Sequence, residues 1–224
     1  MTGLAVITNW WGVIDGYLPL LAKASWLVVQ VTAVVILLSW VLGLAIALMR
    51  SSKSRFLQWP ARFYIWFIRG TPALVQIFIV YFGLPQFGLR LSPFVAGTIA
   101  LGLNSAAYVA ETIRGGLLSI PRGQGESALA LGLTHSDAMR RIILPQVVRV
   151  IIPPISNEVA SSIKNTSLLS TITLMELTLQ TEVIVATTFK PFEFYIAAAI
   201  IYLLMTTVCL TALRQVENRY SLRY

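Results

Sequence analysis

Polar side chains recur at helical spacing inside two strongly apolar stretches of the sequence. One set occupies positions i, i+4 and i+7, and the other occupies positions i, i+4 and i+8. They are Asn104, Tyr108 and Glu111, and Asn157, Ser161 and Asn165. Such spacings place side chains on one helical face. Amides, hydroxyls and carboxylates on such faces could line a passage for a polar solute, and Glu158 and Thr166 complete the candidate set.

The same residues have a second interpretation, which the sequence leaves open. Asn and Ser side chains on membrane helices also hydrogen-bond neighbouring helices to each other. Glu111 and Arg114 are three residues apart and could pair with each other. Catalysis and metal binding are not indicated, because His135 and Cys209 are the single histidine and the single cysteine of the chain. We therefore expect no catalytic residue and no metal ligand.

The elements that carry these residues are predicted to be membrane helices. Hydrophobic residues make up 57% of the chain, charged residues 12%, and the mean hydropathy is +0.77. Soluble domains contain roughly 45–50% apolar residues. Five apolar segments are long enough to cross a bilayer at about 20 residues each. They are 24–49, 63–84, 94–118, 150–179 and 194–213. The predicted fold class is an all-α integral membrane protein with five transmembrane helices.

The basic residues predict how the chain is oriented. Most of the 17 Lys and Arg residues lie in three places, which are 50–69, 114–149 and 214–223. Because cytoplasmic loops are enriched in Lys and Arg, the N-terminus is expected outside and the C-terminus in the cytoplasm. The net charge of +8 thus indicates orientation and contact with the lipid bilayer, and no nucleic acid partner is expected. The predicted regions are a periplasmic or interfacial segment 1–23, a membrane domain 24–213 and a cytoplasmic tail 214–224.

The cytoplasmic stretch 119–149 is predicted to contain two short helices. Gly132 stands where a left-handed cap would end the first helix. Thr134 and Asp137 form a capping box for the second helix, which is expected to end before Pro145. A loop of this length cannot bury the apolar side chains of both helices, so we expect a cytoplasmic partner to cover them. Contact of the loop with lipid headgroups is the alternative.

This loop matches a known pattern, E-A-A-x3-G-x9-I-x-L-P, with serine in place of the first alanine. The matching residues are Glu126, Ser127, Ala128, Gly132, Ile142, Leu144 and Pro145. Further matches follow in the same order along the chain at 69–72, 104–112, 114–116, 156–158 and 164–168. The chain therefore resembles the permeases of the polar amino acid uptake family of ABC importers.

The resemblance implies the type I ABC importer permease fold, in a bacterial inner membrane, with separate proteins supplying energy and substrate. The expected partners are a second permease, identical or related, two cytoplasmic ATPase subunits and a periplasmic solute-binding protein. Coupling to the ATPase is expected through Glu126, Ser127, Ala128, Leu131, Gly132, Leu144 and Pro145. ATP and Mg are expected on the partner subunits, because this chain has no G-x-x-x-x-G-K-[ST] motif and is not expected to be an enzyme.

The expected cargo is a polar amino acid, although a stand-alone secondary transporter or channel remains the alternative function. Asn165 stands where similar permeases often have aspartate. Its neutral amide makes a strictly cationic substrate less favoured than a neutral, acidic or cystine-like one.

Overall fold

The computed structural model describes residues 12–220, so the predicted segments 1–23 and 214–224 lie partly outside it. Regular structure within the described range is helical, which confirms the predicted all-α class. The helices are α1 (Leu18–Ser51), α2 (Arg55–Gly70), α3 (Ala73–Phe78), α4 (Pro93–Ser119), α5 (Arg122–Ala130), α6 (His135–Ala138), α7 (Leu144–Asn165), α8 (Leu177–Thr188) and α9 (Pro191–Tyr220).

The predicted number of spans holds only if one broken helix pair is counted. Within residues 12–220, four helices are long and apolar enough to cross a bilayer, and a fifth crossing would combine Arg55–Gly70 with Ala73–Phe87. These two parts are bent by 109°. The apolar segment 63–84 is therefore not one continuous helix. The cause is Pro72, which disfavours helical geometry at Thr71, and Thr71 is extended with φ −121° and ψ 147°.

The fourth span also differs from the prediction, at both ends. The helix does not stop before Pro145, because α6 continues through a π-helical turn, Met139–Ile143, directly into α7. Pro145 directly follows the π-helical turn, where the regular α-helical hydrogen-bond pattern is already interrupted and a missing N–H costs less. At the other end, Thr173 has a φ of +64° and the chain turns into α8. The predicted span 150–179 therefore contains the second part of α7 and the start of α8.

The centre of the fold is the contact between α1 and α4. Gly43 of α1 lies so close to α4 that a Cβ atom there would be 2.7 Å from Val109 Cγ1 and 3.0 Å from the Ala106 carbonyl oxygen. Small residues allow such close approach where the lipid supplies no hydrophobic drive for helix association. α7 packs on another side of α4, which places both polar stripes on neighbouring helices.

Replacing Gly43 with alanine is expected to destabilise the protein by about 1–3 kcal/mol, because overpacking a tight contact forces the helices to shift. Val109 Cβ would lie 2.8 Å from the added carbon and cannot rotate away. Thermal unfolding of the purified protein in detergent measures the change. Gly115→Ala is the matched control, since nothing lies within 4 Å of that position and alanine favours a helix. Equal losses in both variants would contradict the close contact.

Candidate functional site

A polar cavity of about 350 Å³ lies between the α2–α3 break, α4 and α7. It is lined by Thr71, Pro72, Ala73, Asn104, Tyr108, Glu158, Ser161 and Asn165. The last five of these are members of the predicted polar set. The structure therefore brings side chains from both polar stripes to one place, although they are more than 50 residues apart in the sequence.

Three other members of the predicted set do not line this cavity. Asn157 is exposed on a different face of α7. A helix turns by about 100° per residue, so Glu158, seven residues before Asn165, shares its face more closely than Asn157 does, eight residues before it. Thr166 is fully buried, and its hydroxyl donates to the Ile163 carbonyl at 2.8 Å. Glu111 is held by neighbouring cations.

Glu111 forms the centre of an arginine cluster. Arg114 donates to both of its carboxylate oxygens, with distances of 2.9 Å from Nε and 2.7 Å from Nη2. Arg69 Nη1 and Arg50 Nε lie 3.8 Å and 3.9 Å from the same carboxylate. The possible pairing of Glu111 with Arg114 is thus observed. The cluster joins α1, α2 and α4, and the Arg69 guanidinium lies 5.3 Å from the centre of the Tyr108 ring.

Glu158 is in a different electrostatic position. It is the carboxylate among the cavity-lining residues, and no described cation lies within salt-bridge distance of it. Ionised groups inside a membrane protein normally face a partner or a polar cavity because burying them in lipid is costly. Here the cavity supplies that polar surrounding. Glu158 thus reaches the cavity without an ion-pair partner among the described residues.

Gln76 is a site residue that sequence reasoning missed. Its side chain is buried, and its Nε2 donates to the Ile68 carbonyl and to Thr71 Oγ1, both at 2.8 Å. Its Oε1 accepts a hydrogen bond of 3.0 Å from Asn104 Nδ2. Gln76 therefore satisfies backbone groups freed by the helix break and fixes the amide that lines the cavity. An amide four residues after Pro72, within an apolar run, was the available signal.

The loop between α4 and α7 has the predicted caps. Gly132 has a φ of +83°, its N–H donates to Leu129 at 2.9 Å, and the Leu133 N–H donates to Ala128 at 3.1 Å. These two bonds form a Schellman motif. The Thr134 hydroxyl accepts from the Asp137 N–H at 3.1 Å, as the capping box requires. Both predicted helix boundaries at this turn are therefore observed.

The predicted coupling residues are not equally accessible. Ala128 is buried inside the loop, so its small side chain supports the packing of α5 and cannot offer a contact surface. The other predicted residues are exposed, namely Glu126, Ser127, Leu131, Gly132, Leu144 and Pro145. Leu131 is 83% exposed, so the turn presents an apolar side chain at the surface. The loop thus presents a capped, partly apolar surface.

Comparison with known proteins gives consistent matches over most of the chain. The family described as "Binding-protein-dependent transport system inner membrane component" matches residues 39–222. The probable glutamine ABC transporter permease protein GlnM of Bacillus subtilis (strain 168) is 40% identical over 186 residues, covering 83% of this chain and 86% of that protein. The octopine transport system permease protein OccM of Rhizobium meliloti is 50% identical over 177 residues, covering 75% and 72%.

The fold agrees with these sequence matches. A crystal structure of an amino acid ABC transporter with histidines superposes with a TM-score of 0.87 at 39% identity, covering 92% of this chain and 96% of that chain. The type I importer permease fold expected from the loop pattern is therefore confirmed. The chain belongs to the family of inner membrane components of binding-protein-dependent transport systems, the permeases of ABC importers.

Proposed function

We propose that this chain is the permease subunit of an ATP-driven importer that carries polar amino acids into the cytoplasm. The observation that carries the proposal is the polar cavity between α4, α7 and the α2–α3 break. Its volume of about 350 Å³ lies in the usual range of ligand sites, roughly 300–1,000 Å³. A solute in this cavity would exchange its hydrogen bonds to water for hydrogen bonds to these side chains. This exchange lowers the free-energy cost of desolvating the solute.

The chemistry of the cavity suits an α-amino acid. The carboxylate of Glu158 can accept hydrogen bonds from an ammonium group. The amides of Asn104 and Asn165 both donate and accept, and the hydroxyls of Ser161 and Tyr108 do the same. Such a set does not demand a charged substrate side chain. The names of the relatives, which give glutamine and octopine, support a neutral or zwitterionic polar cargo.

The α5–α6 loop is the proposed docking site for the ATPase subunits, which would bind ATP and Mg. Its support is the exposed, capped surface around Leu131 and the continuous helix from α6 into α7. A second permease, identical or related, would complete the pathway, and a periplasmic solute-binding protein would deliver the substrate. In this arrangement the N-terminus is periplasmic and the C-terminus cytoplasmic.

Asn165→Asp is expected to shift transport preference towards arginine or lysine, by about tenfold relative to glutamine. A second carboxylate on the cavity-facing side of α7, in addition to Glu158, would attract a cationic side chain where charges are weakly screened. The measurement is uptake of labelled amino acids into proteoliposomes that contain the whole complex. A parallel measurement of substrate-stimulated ATPase activity, with substrate inside the vesicles, separates the cavity from the binding protein's own selectivity.

The matched control for this substitution is Asn157→Asp, on the same helix but outside the cavity. It makes the same chemical change and should leave the rank order of substrates unchanged. If the two variants behave alike, Asn165 is a packing residue and does not select substrate. If no amino acid in the panel stimulates ATP hydrolysis or enters the vesicles, the proposed cargo is wrong.

Gly132→Arg is expected to abolish most uptake while leaving basal ATP hydrolysis. The φ of +83° at this position disfavours any residue with a Cβ, at a cost of about 1 kcal/mol, and the longer side chain would lie on the proposed docking surface. Gly132→Asn is the matched control, because asparagine tolerates the left-handed conformation and keeps the cap. Uptake per ATP hydrolysed in proteoliposomes is the readout. Normal coupling in Gly132→Arg would contradict docking at this loop.

The orientation predicts opposite results for two reporters fused after residue 224. A fluorescent protein that folds only in the cytoplasm should be bright, and alkaline phosphatase, which is active only in the periplasm, should be inactive. The physical reason is the concentration of Lys and Arg in the regions next to the proposed cytoplasmic ends. Active phosphatase with a dark fluorescent protein would reverse the proposed orientation.

A further inference from the structure

A second concave site, separate from the polar cavity, lies where α2 leaves the end of α1. Its volume is about 520 Å³, and it is lined by Lys53, Arg55, Gln58, Trp59 and Arg62. The lining has three cations and no acid. Among the described residues, no salt bridge involves any of these cations. The site is therefore positively charged and open to an anionic ligand.

Hydrogen bonds hold the wall of this basic site in one arrangement. The Gln58 side-chain amide donates to the Ser52 carbonyl and so bridges the turn between α1 and α2. Arg62 Nη2 donates to Gln58 Oε1 at 2.8 Å, which leaves the other guanidinium N–H groups of Arg62 for a ligand. The Ser54 N–H donates to Ser52 Oγ at 3.2 Å. The cations thus surround a preformed recess on a defined turn.

An exposed aromatic row continues from the basic site along α2. Trp59 and Trp66 are each 70% exposed, and Phe63 between them is half exposed. The ring centres are 6.0 Å apart for Trp59 and Phe63, and 5.9 Å apart for Phe63 and Trp66. The opposite face of α2 is buried through Ala61, Ile65 and Ile68. α2 is therefore an amphipathic helix with its aromatic face turned away from the protein, where membrane lipid can contact it.

We propose that this site binds the phosphate headgroup of an anionic phospholipid, with the acyl chains lying along the aromatic row. Guanidinium groups bind phosphate oxygens with charge-assisted hydrogen bonds. Basic pockets beside membrane helices attract anionic lipids. A free phosphate or nucleotide would use the cations but would leave the aromatic row uncovered. The combination of both features on one helix is what favours a lipid.

A lipid at this position would stabilise α2 against the rest of the fold. The same helix carries Arg69 of the Glu111 cluster and ends at Gly70, immediately before the Thr71–Pro72 break that lines the polar cavity. Binding at the first turns of α2 would therefore favour one position of the cavity wall. Transport by the complex should then depend on anionic lipid through this site.

The test compares two triple variants that each remove three positive charges. Lys53→Gln/Arg55→Gln/Arg62→Gln changes the basic site, and Lys23→Gln/Arg90→Gln/Lys190→Gln is the control at positions elsewhere in the fold. The full chain, purified with its partner subunits and delipidated, is titrated with phosphatidylglycerol or with phosphatidylcholine of the same acyl chains. Native mass spectrometry counts the bound lipids. The site variant should lose about a hundredfold in phosphatidylglycerol affinity, and the control should lose less than threefold.

A second measurement locates the acyl chains. Phosphatidylglycerol with brominated chains should quench the fluorescence of Trp59, obtained as the difference between the wild-type protein and Trp59→Phe.

If the triple site variant does not fold, the single variants Arg55→Gln and Arg62→Gln must each weaken binding several-fold. Three results would overturn the proposal: equal loss in the two triple variants, equal binding of phosphatidylcholine, or full displacement of the lipid by millimolar inorganic phosphate.

Discussion

The constraint on which this structure depends is that backbone polar groups inside a bilayer need partners within the protein. The chain breaks its helix at Thr71 and Pro72, which removes helical partners from carbonyls at the end of α2. The Gln76 side-chain amide supplies a replacement donor to the carbonyls of Ile68 and Thr71. The break is tolerated because it lies against α4 and borders a polar cavity, where irregular backbone is not exposed to lipid. The break thus forms part of the cavity wall, and the cavity keeps the irregular backbone of the break away from lipid.

The two acids nearest the cavity differ in their ion-pair partners. Glu111 holds Arg50, Arg69 and Arg114, which come from three helices, so its carboxylate is occupied. Glu158 faces the cavity without such a partner. Two acids on neighbouring helices therefore have different electrostatic surroundings. Arg69, beside the Tyr108 ring, places the arginine cluster next to the cavity wall.

The helices that line the cavity also extend to the loop that we propose as the docking site of the ATPase. α4 ends at Ser119, immediately before the loop, and α7 is continuous with α6 through a π-helical turn. A helix transmits displacement along its length because its packed side chains and hydrogen bonds resist deformation. A partner that moves the loop would therefore move both walls of the cavity.

Local properties of the sequence determined the apolar helices, the caps at Gly132 and Thr134, the break at Pro72 and most residues of the cavity. Hydropathy, left-handed caps and proline geometry act within a few residues, so they can be inferred without a fold. Tertiary structure alone decided that α6 would continue past Pro145, that Glu111 would be occupied by arginines, and that Gln76 would support the break. It also turned Asn157 outward and buried Thr166. These outcomes depend on which helix faces pack together, and that depends on contacts between residues distant in the sequence.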